Sequence, residues 1–125
     1  MTSTTSLFDR TLCIALLVAH AHGKTMLSPF FAKCEGILVI DPRATKHGFL
    51  ANTERTKQSI CDLILKSGVT RLVCGFISQP ERDKLSAAGI DVRLGSCVCP
   101  VHDLAASFEM LPMAYPETTG ALRRS

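Results

Sequence analysis

The 125-residue sequence contains no tryptophan and a single tyrosine, so its core has to be built from aliphatic side chains and six phenylalanines. It also has no long run of lysine or arginine, and its formal net charge is only +3. Because proteins that follow a phosphate backbone present clustered basic residues, nucleic acid is not expected as a partner. The longest apolar segment, residues 12–19, is too short to span a bilayer, so no membrane partner is expected either.

The composition that is present is typical of a globular protein, with 46% hydrophobic and 20% charged residues. A chain of this length fits one domain, which we predict to occupy residues 12–111. We expect a flexible leader at residues 1–11, which are rich in threonine and serine, and a flexible tail at residues 112–125.

The six cysteines are predicted to be free thiols in a reducing cytoplasm. Cys13, Cys61 and Cys74 lie in apolar segments, where a free cysteine behaves as a small buried hydrophobe. The alternative is a disulfide framework in a secreted protein. The apolar run near the N-terminus does imitate a signal peptide, but Asp9 beside Arg10 leaves the preceding segment without clear positive charge. A cytoplasmic location is therefore the favoured interpretation.

Hydrophobic periodicity predicts strands first and strand–helix alternation afterwards. The predicted elements are strands at residues 12–19, 35–41 and 46–51, a helix ending at Gly68, a strand at 71–75, a helix ending at Gly89, a strand at 90–94 and a helix at 101–110. Asn52-Thr53 is expected to cap the first helix, and Ser78-Gln-Pro-Glu81 to form a capping box for the second. The order β-β-β-α-β-α-β-α predicts an α/β fold: a mixed five-stranded sheet with helices on both faces.

The segment Cys97-Val-Cys-Pro-Val-His102 is the first candidate site, because two thiols and an imidazole follow a predicted strand. Thiolate and imidazole are suitable ligands for zinc, copper(I) or an iron–sulfur species. The spacing is not that of a C-x-x-C knuckle, and no complete four-ligand zinc site is visible nearby. Packing of Cys97 and a capping position for Cys99 are the alternative.

Two further candidates are the His20-Ala-His22 segment and the loop that begins at Ser28. Residues i and i+2 share a face in an extended chain, so His20 and His22 can converge on one ligand, unless they are a solvated pair without a carboxylate partner. In the loop, Ser28 offers a hydroxyl, Lys33 a cation and Cys34 a thiol. Phe30 and Phe31 can form the apolar wall of a pocket or belong to the core.

Enzyme motifs are absent from the sequence: there is no G-x-S-x-G elbow, no Walker loop and no G-x-G-x-x-G. Carboxylates such as Glu35, Asp41 and Asp62 are scattered one per element rather than grouped. We therefore expect a protein that is not an enzyme.

Three segments together resemble the NifX-like family of nitrogenase iron–molybdenum cofactor biosynthesis. The first is the loop Ser28-Pro-Phe-Phe-Ala-Lys-Cys34 with the strand at 35–41, similar to the family signature S-x-H-F-G-R-A and its strand. The others are the helix and strand at 60–75 and the segment Lys-Leu-Ser-Ala-Ala-Gly-Ile-Asp-Val at 84–92. Phe30 stands where the family loop commonly has histidine, and Lys33 keeps the cation of the family's arginine.

The resemblance implies a ribonuclease H-like three-layer fold and a small non-catalytic carrier. Its cargo would be the iron–molybdenum cofactor or its iron–sulfur precursor, exchanged with donor and acceptor proteins. The expected cofactor-binding residues are Ser28, Phe30, Phe31, Lys33, Cys34, His20 and His22, and the expected metal ligands are Cys34, Cys97, Cys99 and His102.

Two alternatives stay open. Because Phe30 replaces the family's histidine, the chain can be a protein-interaction domain of the same fold that has lost cofactor binding. A nuclease of ribonuclease H-like architecture, dependent on Asp41, is the weaker alternative, since such chemistry needs several converging carboxylates.

Overall fold

The computed structural model of the protein describes residues 13–21, 23–41 and 46–114, with the backbone alone at positions 46 and 47. We number its elements in chain order. The strands are β1 (Ile14–Ala21), β2 (Lys24–Leu27), β3 (Gly36–Asp41), β4 (Lys46–Ala51), β5 (Arg71–Cys74) and β6 (Asp91–Leu94). The helices are α1 (Lys57–Ser67), α2 (Gln79–Ala87) and α3 (Val101–Ala106), followed by a 3₁₀ turn at Phe108–Met110.

The strands form one mixed sheet in the order β4-β3-β1-β5-β6, with β2 paired to β1 as well. β1 is antiparallel to β3 and parallel to β5, and β5 is parallel to β6. The prediction of five strands is wrong, because the sheet has six. The additional strand is β2, which folds back on the end of β1 with Ala21 opposite Lys24. β2 has only four residues, one of them fully buried, so it lacks the apolar pattern that marks the other strands.

Alternation along the strands divides the core into two clusters on opposite faces of the sheet. We call the first cluster the α1/α2 core: Ala15 and Leu17 of β1 meet Ile60 of α1 and Leu85 of α2 there. In the second, the α3 core, Leu16 of β1 packs with residues of α3 and with Phe108. The predicted arrangement of helices on both faces is thus confirmed, as three layers.

The ends of the helices differ from the sequence-based expectation. The N-cap of α1 is Thr56, whose side chain accepts a hydrogen bond from the Ser59 amide, rather than Asn52 or Thr53. Ser78 precedes α2, but its hydroxyl donates to the Glu81 carboxylate instead of capping the backbone, so the predicted reciprocal box is not formed. The last helix is also shorter than predicted.

Residues 112–114, which fall within the predicted tail, lie beside the outer edge of β6. The Leu94 amide donates to the Pro112 carbonyl at 2.9 Å and the Ala114 amide to the Val92 carbonyl at 3.0 Å. The predicted leader at 1–11 and residues 115–125 lie outside the described residues. Within the described ranges, no helix combines the length and apolarity needed to cross a membrane.

Candidate functional site

Three loops meet where the parallel strands end, a region that we call the carboxyl edge. They are residues 28–34 after β2, 75–78 after β5 and 95–100 after β6. Their contact point is Gly75: a Cβ atom there would lie 2.6 Å from the Ser28 carbonyl oxygen and 2.8 Å from the Cys97 sulfur. Only a residue without a side chain permits this close approach.

The connections after β5 and β6 leave the sheet in opposite directions. β5 leads to α2, which packs in the α1/α2 core through Leu85, whereas β6 leads to α3, which packs in the α3 core through Leu104. Ligands of open α/β sheets bind in the crevice that such a divergence leaves outside the strand ends. The carboxyl edge is therefore the position at which this fold offers a binding site.

A pocket of about 520 Å³ opens at the carboxyl edge, on the α3 side. We call it the thiol pocket; β2 forms one wall and the loop after β6 forms the other, joined by a bridge between Met26 and Pro100. Its lining residues are Lys24, Thr25, Met26, Cys97, Val98, Cys99, Pro100, Val101 and His102.

The two cysteines of the thiol pocket lie on a tight turn. The Cys99 amide donates to the Ser96 carbonyl at 3.1 Å, and the Val98 amide lies 3.3 Å from the Ser96 hydroxyl oxygen. Cys99 is exposed and Cys97 is half-buried, so burial raises the pKa of the Cys97 thiol. His102 is exposed on α3, which has only six residues. The predicted segment Cys97–His102 is thus brought together along one pocket wall.

The loop at 28–34 places most of its predicted site residues in the interior. Ser28 is buried, and its hydroxyl donates to the Phe30 carbonyl at 2.9 Å and accepts from the Phe30 amide at 3.1 Å. Phe31 belongs to the α1/α2 core. Phe30 and Lys33, by contrast, are exposed. The loop's polar and apolar groups therefore serve mainly to hold its own shape, leaving two side chains available to a ligand.

Cys34 is separated from the thiol pocket. It is fully buried in the α1/α2 core, whereas Cys97 packs against the α3 core on the opposite face of the sheet. Burial raises the pKa of Cys34 to about 11, outweighing its weak contact with the Asn52 side-chain amide at 3.8 Å. Because the thiolate is the form that binds metals, Cys34 is a poor ligand in this arrangement.

The first histidine has the carboxylate partner that the sequence did not reveal. His20 Nδ1 lies 2.7 Å from Glu35 Oε1, and the rings of His20 and Phe49 form a T-shaped pair with centroids 5.7 Å apart. This hydrogen bond lowers the pKa of Glu35. His22 lies outside the described residues, so its predicted role stays a prediction.

The structure does not assemble the predicted metal ligands into one cage. Within residues 13–21, 23–41 and 46–114, no three His, Cys, Asp or Glu side chains are grouped closely enough to hold a metal ion. Cys97, Cys99 and His102 share the thiol pocket, while Cys34 lies on the other face.

A comparison with protein-family models matches residues 12–109 to the dinitrogenase iron–molybdenum cofactor family. The chain belongs to this family. The resemblance inferred from the three segments at residues 28–41, 60–75 and 84–92 is thereby confirmed. A search of curated protein sequences finds no match.

Solved structures show the same fold as this family member. The apo form of the orange protein from Desulfovibrio gigas matches with a TM-score of 0.75 and 21% identity, covering 86% of this chain and 97% of that one. A protein from Methanococcus jannaschii, provisionally assigned as a dinitrogenase, matches with a TM-score of 0.65 and 20% identity, covering 85% and 95%. A protein from Thermotoga, provisionally assigned as NifB, matches with a TM-score of 0.64 and 19% identity, covering 82% and 90%.

Sequence reasoning missed several residues of the carboxyl edge in this family member. Gly75, exposed Phe76 and the β2 wall of the thiol pocket were not predicted as site residues. Gly75 could have been found, because a glycine directly after a parallel strand marks a close approach at the usual ligand-binding edge. β2 carried no comparable signal.

Proposed function

We propose that this member of the dinitrogenase iron–molybdenum cofactor family is a non-catalytic carrier for a metal–sulfur cargo. The cargo is the iron–molybdenum cofactor or an iron–sulfur precursor of it, bound at the thiol pocket. The observation that carries the proposal is that Cys97, Cys99 and His102 all line one open pocket at the carboxyl edge. The reducing cytoplasm, where thiols stay free, is the proposed location.

The chemistry of the pocket suits such a cargo. Thiolate and imidazole are soft or borderline ligands for iron–sulfur species, and the ammonium group of Lys24 complements a cluster of negative charge. Met26 and Val98 supply apolar surface, and the Val98 side chain is 87% exposed. Lys33 and Phe30 of the neighbouring loop are exposed as well and can contact cargo that projects from the pocket.

The modest number of ligands agrees with transport rather than storage. A structural metal site closes with about four protein ligands, whereas the described residues offer no group of three. A cluster held by one or two thiolates keeps open coordination positions, which ligands from another protein can occupy. We propose that donor and acceptor proteins exchange the cargo with the carrier in this way.

Cargo loading tests the proposal. The protein is incubated anaerobically with ferrous iron and sulfide, or with isolated iron–molybdenum cofactor, and then desalted. Iron, molybdenum and sulfide are measured beside the visible absorption spectrum. We expect near-stoichiometric loading with a sulfur-to-iron charge-transfer band, and at least a tenfold loss of iron in the double variant Cys97→Ser/Cys99→Ser.

Two single variants are matched controls for the double variant. Cys34→Ala removes the buried thiol that we exclude as a ligand, and Cys61→Ala removes another buried thiol of the α1/α2 core. Both should load as wild type when folding is verified by circular dichroism. Equal loading of the double variant and wild type would overturn the proposal, as would wild-type protein that stays free of metal.

The second candidate function is a protein-interaction domain of the same fold without cargo. Phe30 and Phe76 favour it, because their side chains are 61% and 57% exposed at the carboxyl edge. Exposed aromatic residues are typical of protein contact surfaces. Metal-free wild-type protein after attempted loading would favour this candidate over the carrier.

A further inference from the structure

Two phenylalanine side chains project from neighbouring loops of the carboxyl edge. Phe30 and Phe76 are 61% and 57% exposed. Phe76 directly follows Gly75, where a Cβ atom would lie 3.3 Å from the Pro29 Cα atom, so the backbones that carry the two rings are in contact. The Ser28 hydroxyl hydrogen-bonds to the amide and the carbonyl of Phe30, which fixes the loop there. The structure thus holds two aromatic rings near one another in solvent.

Two exposed cations lie beside the aromatic pair. Lys33 belongs to the same loop as Phe30, and Arg55 to the connection between β4 and α1. Asn52 joins the two segments, because its Nδ2 donates to two carbonyls of the loop, both at 2.9 Å, and its Oδ1 accepts the Arg55 amide at 3.3 Å. Arg55 has a left-handed backbone with a φ of 57°, which this hydrogen bond helps to hold.

The charges of these two cations are not neutralised within the protein. In the ranges that the structure describes, no carboxylate forms an ion pair with Lys33 or Arg55. Both oxygens of the Glu35 carboxylate are engaged by His20, at 2.7 and 3.1 Å. These hydrogen bonds are the main reason why the pKa of Glu35 is lowered, and the positive charge of Arg55 adds to the effect. The guanidinium group is therefore within electrostatic range of the end of the loop.

We propose that Phe30, Phe76, Lys33 and Arg55 form a docking surface for an acidic segment of another protein, with apolar side chains between its carboxylates. Aromatic and arginine side chains are enriched in protein interfaces, and unpaired cations are complemented by acidic groups of a partner. This inference rests on the carrier function, whose donor and acceptor proteins have to reach the cargo. The thiol pocket is adjacent, since the Cys97 sulfur approaches the same glycine that precedes Phe76.

Two other occupants fit this surface less well. Single-stranded nucleic acid can stack on exposed rings, but its phosphates require a clustered basic groove, and the formal net charge of the chain is only +3. A second copy of the chain would bring the cations of one surface against those of the other, which is unfavourable. An acidic protein segment satisfies both the rings and the charges.

Random dodecapeptides displayed on phage are the probe of the partner's chemistry. They are selected on the immobilised full-length protein, and a selected peptide is then synthesised with a fluorescent label. Fluorescence anisotropy measures its affinity. We expect enrichment of peptides that combine aspartate or glutamate with aliphatic or aromatic residues. No enrichment, or enrichment of peptides without acidic residues, would overturn the proposal, as would tighter binding of a labelled single-stranded oligonucleotide.

Two double variants test the two halves of the surface separately. Phe30→Ser/Phe76→Ser removes the rings and Lys33→Glu/Arg55→Glu reverses the charges, and each should weaken binding of the selected peptide at least about tenfold. Added salt should weaken binding to wild type, because it screens exposed charges. Wild-type affinity in either double variant, with folding verified by circular dichroism, would contradict the assignment of this surface.

Matched controls lie outside the docking surface. Lys66→Glu/Lys84→Glu makes the same change in net charge at exposed positions in the last turns of α1 and α2, away from the carboxyl edge. Met110→Ser removes an apolar side chain that is 84% exposed in the 3₁₀ turn. Both should bind the peptide as wild type does. A tenfold loss in either control would mean that the peptide binds elsewhere.

Failure of this proposal and failure of the carrier function give different results. If iron–sulfur loading needs Cys97 and Cys99 but no acidic peptide is selected, the carrier function stands and the docking surface is wrong. If peptide binding depends on both the rings and the cations while no metal–sulfur species is loaded, the docking surface stands and the carrier function is wrong.

Discussion

Two pairs of cysteines in this protein have opposite environments. Cys34 and Cys74 are fully buried in the α1/α2 core, where burial raises their pKa values to about 11 and about 12. Cys97 and Cys99 lie on a turn at the carboxyl edge, half-buried and exposed, respectively. None of the six cysteines, all of which lie in the described ranges, forms a disulfide, so the difference comes from position in the fold. The fold uses one pair as small apolar side chains and leaves the other pair available for chemistry.

Thiol alkylation should show the largest contrast between the two pairs. At pH 8, we expect iodoacetamide to label Cys99 at least about 1,000-fold faster than Cys34 or Cys74, because alkylation needs an accessible thiolate. The ordinary thiol pKa is 9.0, so a value of about 11 alone lowers the thiolate fraction of Cys34 roughly 100-fold. Labelling at Cys34 should rise about tenfold per pH unit until the pH approaches 11.

Peptide mass spectrometry after timed quenching measures each cysteine separately. Protein unfolded in guanidinium is the control, in which the differences should nearly vanish. Comparable rates for Cys34 and Cys99 in the folded protein would contradict the assignment of Cys34 to the core.

The substitution Gly75→Ala tests the close contact between the three loops of the carboxyl edge, which contain or adjoin the cysteines of both pairs. Its Cβ would lie 2.6 Å from the Ser28 carbonyl oxygen and 2.8 Å from the Cys97 sulfur, so the loops have to separate. We expect the free energy of unfolding to fall by about 3 kcal/mol, as for overpacked cores, and Cys97 to become more reactive. Urea denaturation followed by circular dichroism measures the change.

Gly48→Ala is the matched control for Gly75→Ala. Gly48 lies in β4, and a Cβ atom there would meet no atom within 4 Å. Its free energy of unfolding should change by less than about 1 kcal/mol. Equal losses for the two variants would contradict the close approach at Gly75.

Serine substitutions should show the smallest difference between the two cysteine pairs, measured as the loss in the free energy of unfolding. Cys34→Ser places a hydroxyl among apolar side chains of the α1/α2 core and should cost about 2 kcal/mol. Cys99→Ser changes an exposed side chain and should cost less than about 0.5 kcal/mol. The same urea titrations measure both variants, and a cost above 1.5 kcal/mol for Cys99→Ser would place that thiol in the core instead.

Much of the fold could be predicted, because the apolar pattern of the central elements is strong. Continuous apolar runs located β1 and β3, and the change to helical spacing at Ile60 and Ile64 located α1. β2 was missed because a four-residue strand with exposed positions has no such pattern. The last helix was predicted too long, since its apolar spacing continues through the 3₁₀ turn at Phe108–Met110.

The candidate site could be predicted only in part. The grouping of Cys97, Cys99 and His102 follows from their nearness in sequence. The burial of Cys34 did not follow, because a loop residue between polar neighbours can face either way. Asn52 sets the inward orientation of Cys34. Its side-chain nitrogen Nδ2 donates to the carbonyls of Ala32 and Cys34, both at 2.9 Å. Asn52 is distant from Cys34 in sequence, so no local sequence pattern predicts this contact.

The sequence by itself determined the layers of this protein, since hydrophobic periodicity and chain order depend on neighbours a few residues apart. It also determined the family, through the three segments at residues 28–41, 60–75 and 84–92 together. Only the tertiary structure decided which thiols are buried or exposed and which carboxylate meets His20. Burial and side-chain pairing depend on residues far apart in the chain, and the contact between His20 and Glu35 exists only because β1 and the start of β3 lie side by side.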